Sequence, residues 1–192
     1  MASVVLSGDT SGSITIAAPA VAGSTTQTLV NVTGTLAPIV SGTAKVAVTD
    51  FTTSADFTGI PSWVKRITVM FNGISLSGTD AILIRLGDSG GLETTGYIST
   101  STGFTGAAGS TANNTTGFVV QSDTAAYLIS GIVVITNISG NTWVESGSGK
   151  LSTAASWICG GDKTLSDTLT QISITRTGTN TFDAGSINLL WE

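Results

Sequence analysis

The sequence predicts an all-β protein, an antiparallel β-sandwich of jelly-roll-like type with an extended N-terminal arm. Three observations carry the expectation. Apolar residues recur at every second position in several runs, as a strand with one buried face requires. Glycine-rich turns separate those runs at short intervals, the spacing of sandwich folds. Thr and Ser take the place of Lys and Glu: only 10% of residues are charged. That exchange suits strands and turns and suits helices poorly.

From the N-terminus, residues 1–50 form the expected attachment arm. Gly8 to Leu29 carries small side chains and one short alternating run, Ser13 to Ala17. Met1 to Asp50 has no Trp, Tyr or Phe, and all four Trp follow Phe51. At about 25 cal/mol per Å² of apolar area, such a segment buries little by itself. It is therefore expected to order by packing on another copy or a partner, with a boundary near Asp50.

Residues 51–192 are the expected sandwich domain. Lys65 to Phe71 places Ile67, Val69 and Phe71 on one side; Asn72-Gly73 is then a hairpin turn or a bulge. Ala81 to Leu86 aligns Ile82, Ile84 and Leu86 opposite Arg85. Gly117 to Gln121, Ala126 to Ile138 and Thr142 to Glu145 are further strands, the last two joined by a tight Gly140-Asn141 hairpin. Leu151 to Cys159 follows, expected to stop at Gly160-Gly161-Asp162, and then Gln171 to Arg176 and Thr181 to Trp191.

One short stretch, Gly87-Asp88-Ser89-Gly90-Gly91, has the letters that surround the nucleophilic serine of chymotrypsin-like proteases. The chain contains no histidine, and a serine hydroxyl needs a base held within hydrogen-bond reach. Ser62-x-x-Lys65 offers a lysine instead, without the Ser-Asp-Asn or Lys-Thr-Gly partners of such dyads and in a strand context. Both are read as structural, and no catalytic residue is expected.

Other chemistry is equally thin. Cys159 is the only cysteine and reads as a small buried hydrophobe. No cofactor or metal is implied. Asp9, Asp80, Asp88, Asp162, Asp167 and Asp183 lie near turns without a calcium-loop pattern, and are expected to bond nearby backbone. A net charge of −5 without any basic run argues against nucleic acid. No apolar run is long enough for membrane insertion, and MASVVLSGD does not read as a secretory signal, so folding in a cytosol is expected. The sequons at Asn31, Asn113, Asn114 and Asn137 then read as chance. Of the four tryptophans, Trp157 and Trp191 read as core or subunit interface, and Trp143, just after a hairpin turn, as the exposed one and the candidate glycan contact.

The N-terminal stretch with Thr33-Gly34-Thr35-Leu36, the run Phe57 to Tyr97, and the ending Thr181 to Glu192 together resemble structural proteins of tailed bacteriophages. The resemblance implies a β-sandwich, a homotrimer and a place in the virion after assembly in the host cytoplasm. A fibre or fibre-tip module attached to other virion proteins by its arm is the leading expectation. A capsid decoration protein, or a module binding host surface glycan, is the alternative.

Overall fold

Alternation of residue type along the chain becomes alternation of burial. The structure, a computed structural model, describes residues 3–7, 13–17, 42–47 and 51–192, and among these it is all-β without a helix. In chain order the strands are β1 (Ser3–Ser7), β2 (Ser13–Ala17), β3 (Gly42–Ala47), β4 (Ala55–Thr58), β5 (Arg66–Leu76), β6 (Ile82–Asp88), β7 (Gly91–Leu92) and β8 (Tyr97–Thr105). They continue as β9 (Ala108–Asn114), β10 (Phe118–Val120), β11 (Ile129–Ser139), β12 (Thr142–Lys150), β13 (Ala155–Thr164), β14 (Gln171–Arg176) and β15 (Phe182–Trp191).

The chain divides into two units, Met1–Pro38 and Ile39–Glu192. In the first, β1 and β2 pair antiparallel, with Val4 opposite Ile16 and Leu6 opposite Ile14. In the second, the described strands make two antiparallel sheets. The smaller runs β10-β6-β14-β4, with β7 on the end of β6; the larger, which curls, runs β3-β15-β5-β11-β12-β13-β8-β9.

This moves the expected boundary. Gly42–Ala47 pairs with β15 from Val46 opposite Ile187 to Gly42 opposite Trp191, so it is a strand of the larger sheet rather than part of an arm. Edge pairing uses backbone N–H and C=O groups, which a segment without aromatic residues supplies as well as any other. Apart from β1 and β2, the remaining arm residues, Thr33 to Leu36 among them, lie outside the described residues.

The core lies between the two sheets. Ile67, Val69, Ile74, Ile135, Ile187 and Leu189 of the larger sheet meet Ile82, Ile84, Leu86, Phe118, Ile172 and Ile174 of the smaller. β6 and β14 depart from simple alternation, because Leu83, Ser173 and Thr175 on their other side are buried too. Trp157 sits fully buried on the larger sheet, opposite Gly149, which in turn is opposite Gly131. A Cβ on Gly149 would lie 2.8 Å from the indole Nε1, and one on Gly131 would lie 2.9 Å from its Cζ2. The two glycines form a floor beneath the ring.

Glycines elsewhere correct one reading and decide another. Gly160-Gly161-Asp162 does not end its strand: β13 runs through to Thr164. A Cβ on Gly161 would press Ile98 O at 2.6 Å and Phe118 at 3.0 Å, so glycine there admits the other sheet. Asn72-Gly73 resolves as an irregularity inside β5, with Gly73 at φ 65° and shifts of register against β11 and β15. The Gly140-Asn141 turn joins β11 to β12 as expected, with Gly140 at φ 52°.

A buried polar group clips the sheets together. Tyr97 of β8 accepts a hydrogen bond from Leu86 N at 2.7 Å on β6, and its ring meets Phe118 edge-on at 5.1 Å. Lys163 lies 5.3 Å above that ring and pairs with Glu93 at a largely buried site. Tyr97→Phe leaves the Leu86 N–H without this acceptor, which is expected to destabilise the protein by about 1–3 kcal/mol in urea unfolding. An unchanged midpoint would show that the hydroxyl is dispensable.

Candidate functional site

The Gly87–Gly91 segment is a hairpin, not a nucleophile elbow. Gly87 pairs with Leu92 and Asp88 with Gly91, leaving Ser89 and Gly90 as the exposed turn. Asp88 is the organiser. Its carboxylate accepts Gly90 N at 2.8 Å and the Ser166 hydroxyl at 2.6 Å, bonds that hold its pKa below the ordinary carboxylate range. The Ser89 hydroxyl makes no hydrogen bond among the described residues. Ser62 and Lys65 are also unpaired with each other: Lys65 Nζ reaches Asn137 Oδ1 at 3.5 Å.

The other aspartates divide. Asp167 accepts Thr168 N at 2.7 Å, the local backbone bond expected of a turn aspartate, whereas Asp80 accepts Asn180 N at 2.8 Å from a connection a hundred residues away. Asp162 has no such partner and stands exposed on β13. Asp9 lies outside the described residues. No group of three potential metal ligands comes together among the described residues. Asn114 and Asn137 are structural: Asn114 Oδ1 accepts Thr116 N at 2.7 Å, and Asn137 Nδ2 donates to Gly140 O at 2.8 Å across its hairpin.

Trp143 requires a correction. It is 3% exposed, so neither face of its ring is open to stack on a sugar. Following Thr142, alternation turns its side chain inward beside Lys163, its register partner on β13. Trp157 is core as expected, Trp191 packs partly buried against the core, and Trp63, 42% exposed, is the accessible tryptophan.

Several cavities lie among the described residues, one of ≈ 480 Å³ beside Phe104 and Lys150 included, and two others bear on ligand binding. The larger, ≈ 500 Å³, is a cleft lined by Ile98 and Thr100 of β8, Asn113 of β9, and Gly160 and Asp162 of β13. The paired glycines open its floor. Asp162, Asn113 and Thr100 make no side-chain hydrogen bond among the described residues and surround the exposed Ile98. This site was hidden in the sequence, where β8 and β9 carry little apolar alternation. The second, ≈ 160 Å³, is lined by Ser62, Lys65, Asn141, Trp143 and Thr168, among others.

Between the sheets sits one unexpected ionisable pair. The Cys159 thiol donates to Glu145 Oε1 at 2.6 Å, while Oε2 has no partner. Burial pushes the Glu145 pKa up to about 7, partly opposed by the thiol bond. Burial, reinforced by Glu145, also pushes the Cys159 pKa upward, so the thiol stays protonated and is a poor nucleophile. A thiol held this way is an internal donor, which refines the reading of Cys159 as a plain hydrophobe.

The raised Glu145 pKa has a definite sign in stability. The native state holds this proton between pH 4.5 and about 7, whereas the unfolded chain releases it. Stability is therefore fullest below pH 4.5 and falls as pH rises to about 7, by about 3 kcal/mol from this group. Urea unfolding of wild type and Glu145→Gln across that window checks it: the variant should lack this component, and identical profiles would remove Glu145 as its source.

No protein-family model matches the chain, and no curated protein or solved structure matches it either.

Proposed function

We propose that the protein is a non-enzymatic structural module of a bacteriophage particle, a homotrimeric fibre or fibre-tip sandwich attached through its N-terminal region. The observation that carries the reading is the outward face of the larger sheet. One cross-strand row reads Met70, Ile132, Ser148, Ile158 and Thr102 without a charge. Ile132 is 49% exposed and Ile158 52%, and Ile98 and Phe104 extend the apolar surface on β8. On β5, β8, β11, β12 and β13 the outward charges are Arg66 and Asp162 near one end and Lys150 near the other. With strands about 4.8 Å apart and a rise of about 3.3 Å per residue, five such strands present about 700 Å². A stable interface takes about 800 Å² per partner, so this face is of the right size for a second copy. Within it Ile98, Phe104, Ile132 and Ile158 form exposed apolar surface of the kind that marks association sites.

Sedimentation of the full chain at micromolar concentration is expected to give three times the 19.3 kDa chain mass. Ile132→Lys with Ile158→Lys should reduce it to the monomer while preserving the circular-dichroism spectrum. A monomeric wild type would overturn the trimer. Antibody labelling of intact particles then separates a tail location from capsid decoration.

A second reading, host-glycan binding, is favoured by the cleft around Asp162. Carboxylate, amide and hydroxyl groups beside an exposed apolar side chain suit a sugar ring's mixed surface. The discriminating variant is Asp162→Ala on a glycan array.

A further inference from the structure

At one end of the sandwich three connections come together. They are the Pro61–Lys65 segment before β5, the Gly140-Asn141 hairpin turn, and the Leu165–Thr170 link between β13 and β14; Leu165 N donates to Asn141 O at 3.0 Å. The ≈ 160 Å³ pocket lies among them. Its lining holds Lys65 as the one charged residue and no acid.

Trp143 lines this pocket, is 3% exposed, and its Nε1–H has no acceptor. A buried donor without an acceptor is costly, and native proteins nearly always supply one. No acceptor of the neighbouring side chains reaches the indole N–H. Asn137 uses its amide on Gly140 O and Thr142 O and turns its oxygen toward Lys65. The nearby acids are engaged elsewhere: Asp167 with Thr168 N, and the Glu192 side chain with Arg66 at 3.3 Å. Ser62, Asn141 and Thr168 carry side-chain donors, with acceptors beside them, that make no hydrogen bond among the described residues. The pocket is thus rich in donors, carries a cation at its exposed rim, and lacks an anion. Its volume matches about five waters of about 30 Å³ each, enough for a carboxylate or phosphate group.

We propose that this pocket binds a small oxyanion, a carboxylate or phosphate group, between the Trp143 indole N–H and the Lys65 ammonium. Charge-assisted acceptance by such an anion would satisfy the indole and give Lys65, whose side chain otherwise reaches only the neutral Asn137 Oδ1 at 3.5 Å, a charged partner at once. A lone water could satisfy the indole, but it would have no dependence on the lysine.

Two-dimensional ¹H–¹⁵N spectra of the full chain test this. The Trp143 indole signal is assigned from its loss in Trp143→Phe. Acetate, inorganic phosphate and chloride are then titrated at constant ionic strength. The expected result is a saturable shift with acetate or phosphate and none with chloride. Affinity should fall at least tenfold in Lys65→Met and be largely retained in Lys65→Arg. The tighter of the two anions identifies the group the pocket accepts. Absence of a saturable shift with either, an equal response to chloride, or an unaltered response in Lys65→Met would overturn the proposal.

Discussion

Trp157 lying across Gly131 and Gly149 is the contact on which the larger sheet's packing depends. The largest side chain in the core occupies a sheet face where a Cβ on either glycine would come within 3 Å of the ring. Adjacent rows repeat the exchange of large for small. Gly147 faces Cys159, and Gly161 lies between Glu145 and Ser99 under Phe118. Cores reach native density when large and small residues alternate across facing positions. Here the small partner is glycine, so backbone itself becomes the packing surface, and the two sheets come close enough for Tyr97 to bond β6 directly.

That arrangement places everything else. With large groups turned inward, the outward positions of β8, β11, β12 and β13 are left with Thr, Ser, Gly and single isoleucines, a face with few charges. Strand ends then gather the connections at one end, where Lys65, Asn141 and Thr168 meet around Trp143. Function in such a sandwich belongs to its faces and connections, since the space between the sheets is filled. The Glu145–Cys159 pair, like Tyr97 and the Lys163–Glu93 pair, is polar structure inside, and its effect is on stability.

The sequence made strands with an apolar inward face legible and concealed the one that lacks such a face. β5, β6 and β14 were readable because their inward isoleucines and leucines alternate with polar residues. β9, Ala108–Asn114, was not, because an exposed edge strand of small and polar residues has no apolar face to betray it. Gly160-Gly161 looked like a stop because glycine usually punctuates, whereas here it answers Phe118 from a strand far away in the chain. Trp143 was misplaced for a related reason: proximity to a turn suggested exposure, but the first positions of β12 already alternate. The pocket around it draws on residues more than a hundred positions apart, a meeting that local pattern cannot reveal. Ser89, by contrast, was correctly read as part of a glycine-rich turn, since the missing imidazole was evident from composition.

The glycine floor can be probed by adding one methyl group. Gly149→Ala introduces a Cβ 2.2 Å from Ser130 O and 2.8 Å from the Trp157 ring, whereas Gly160→Ala meets only Glu145 O at 3.7 Å. Urea unfolding of the two variants beside wild type is the direct measurement. Overpacking is expected to cost Gly149→Ala about 1–3 kcal/mol or more, with Gly160→Ala within about 0.5 kcal/mol of wild type. Equal stability of Gly149→Ala and wild type would contradict the account, because Trp157 would then not rest on that backbone.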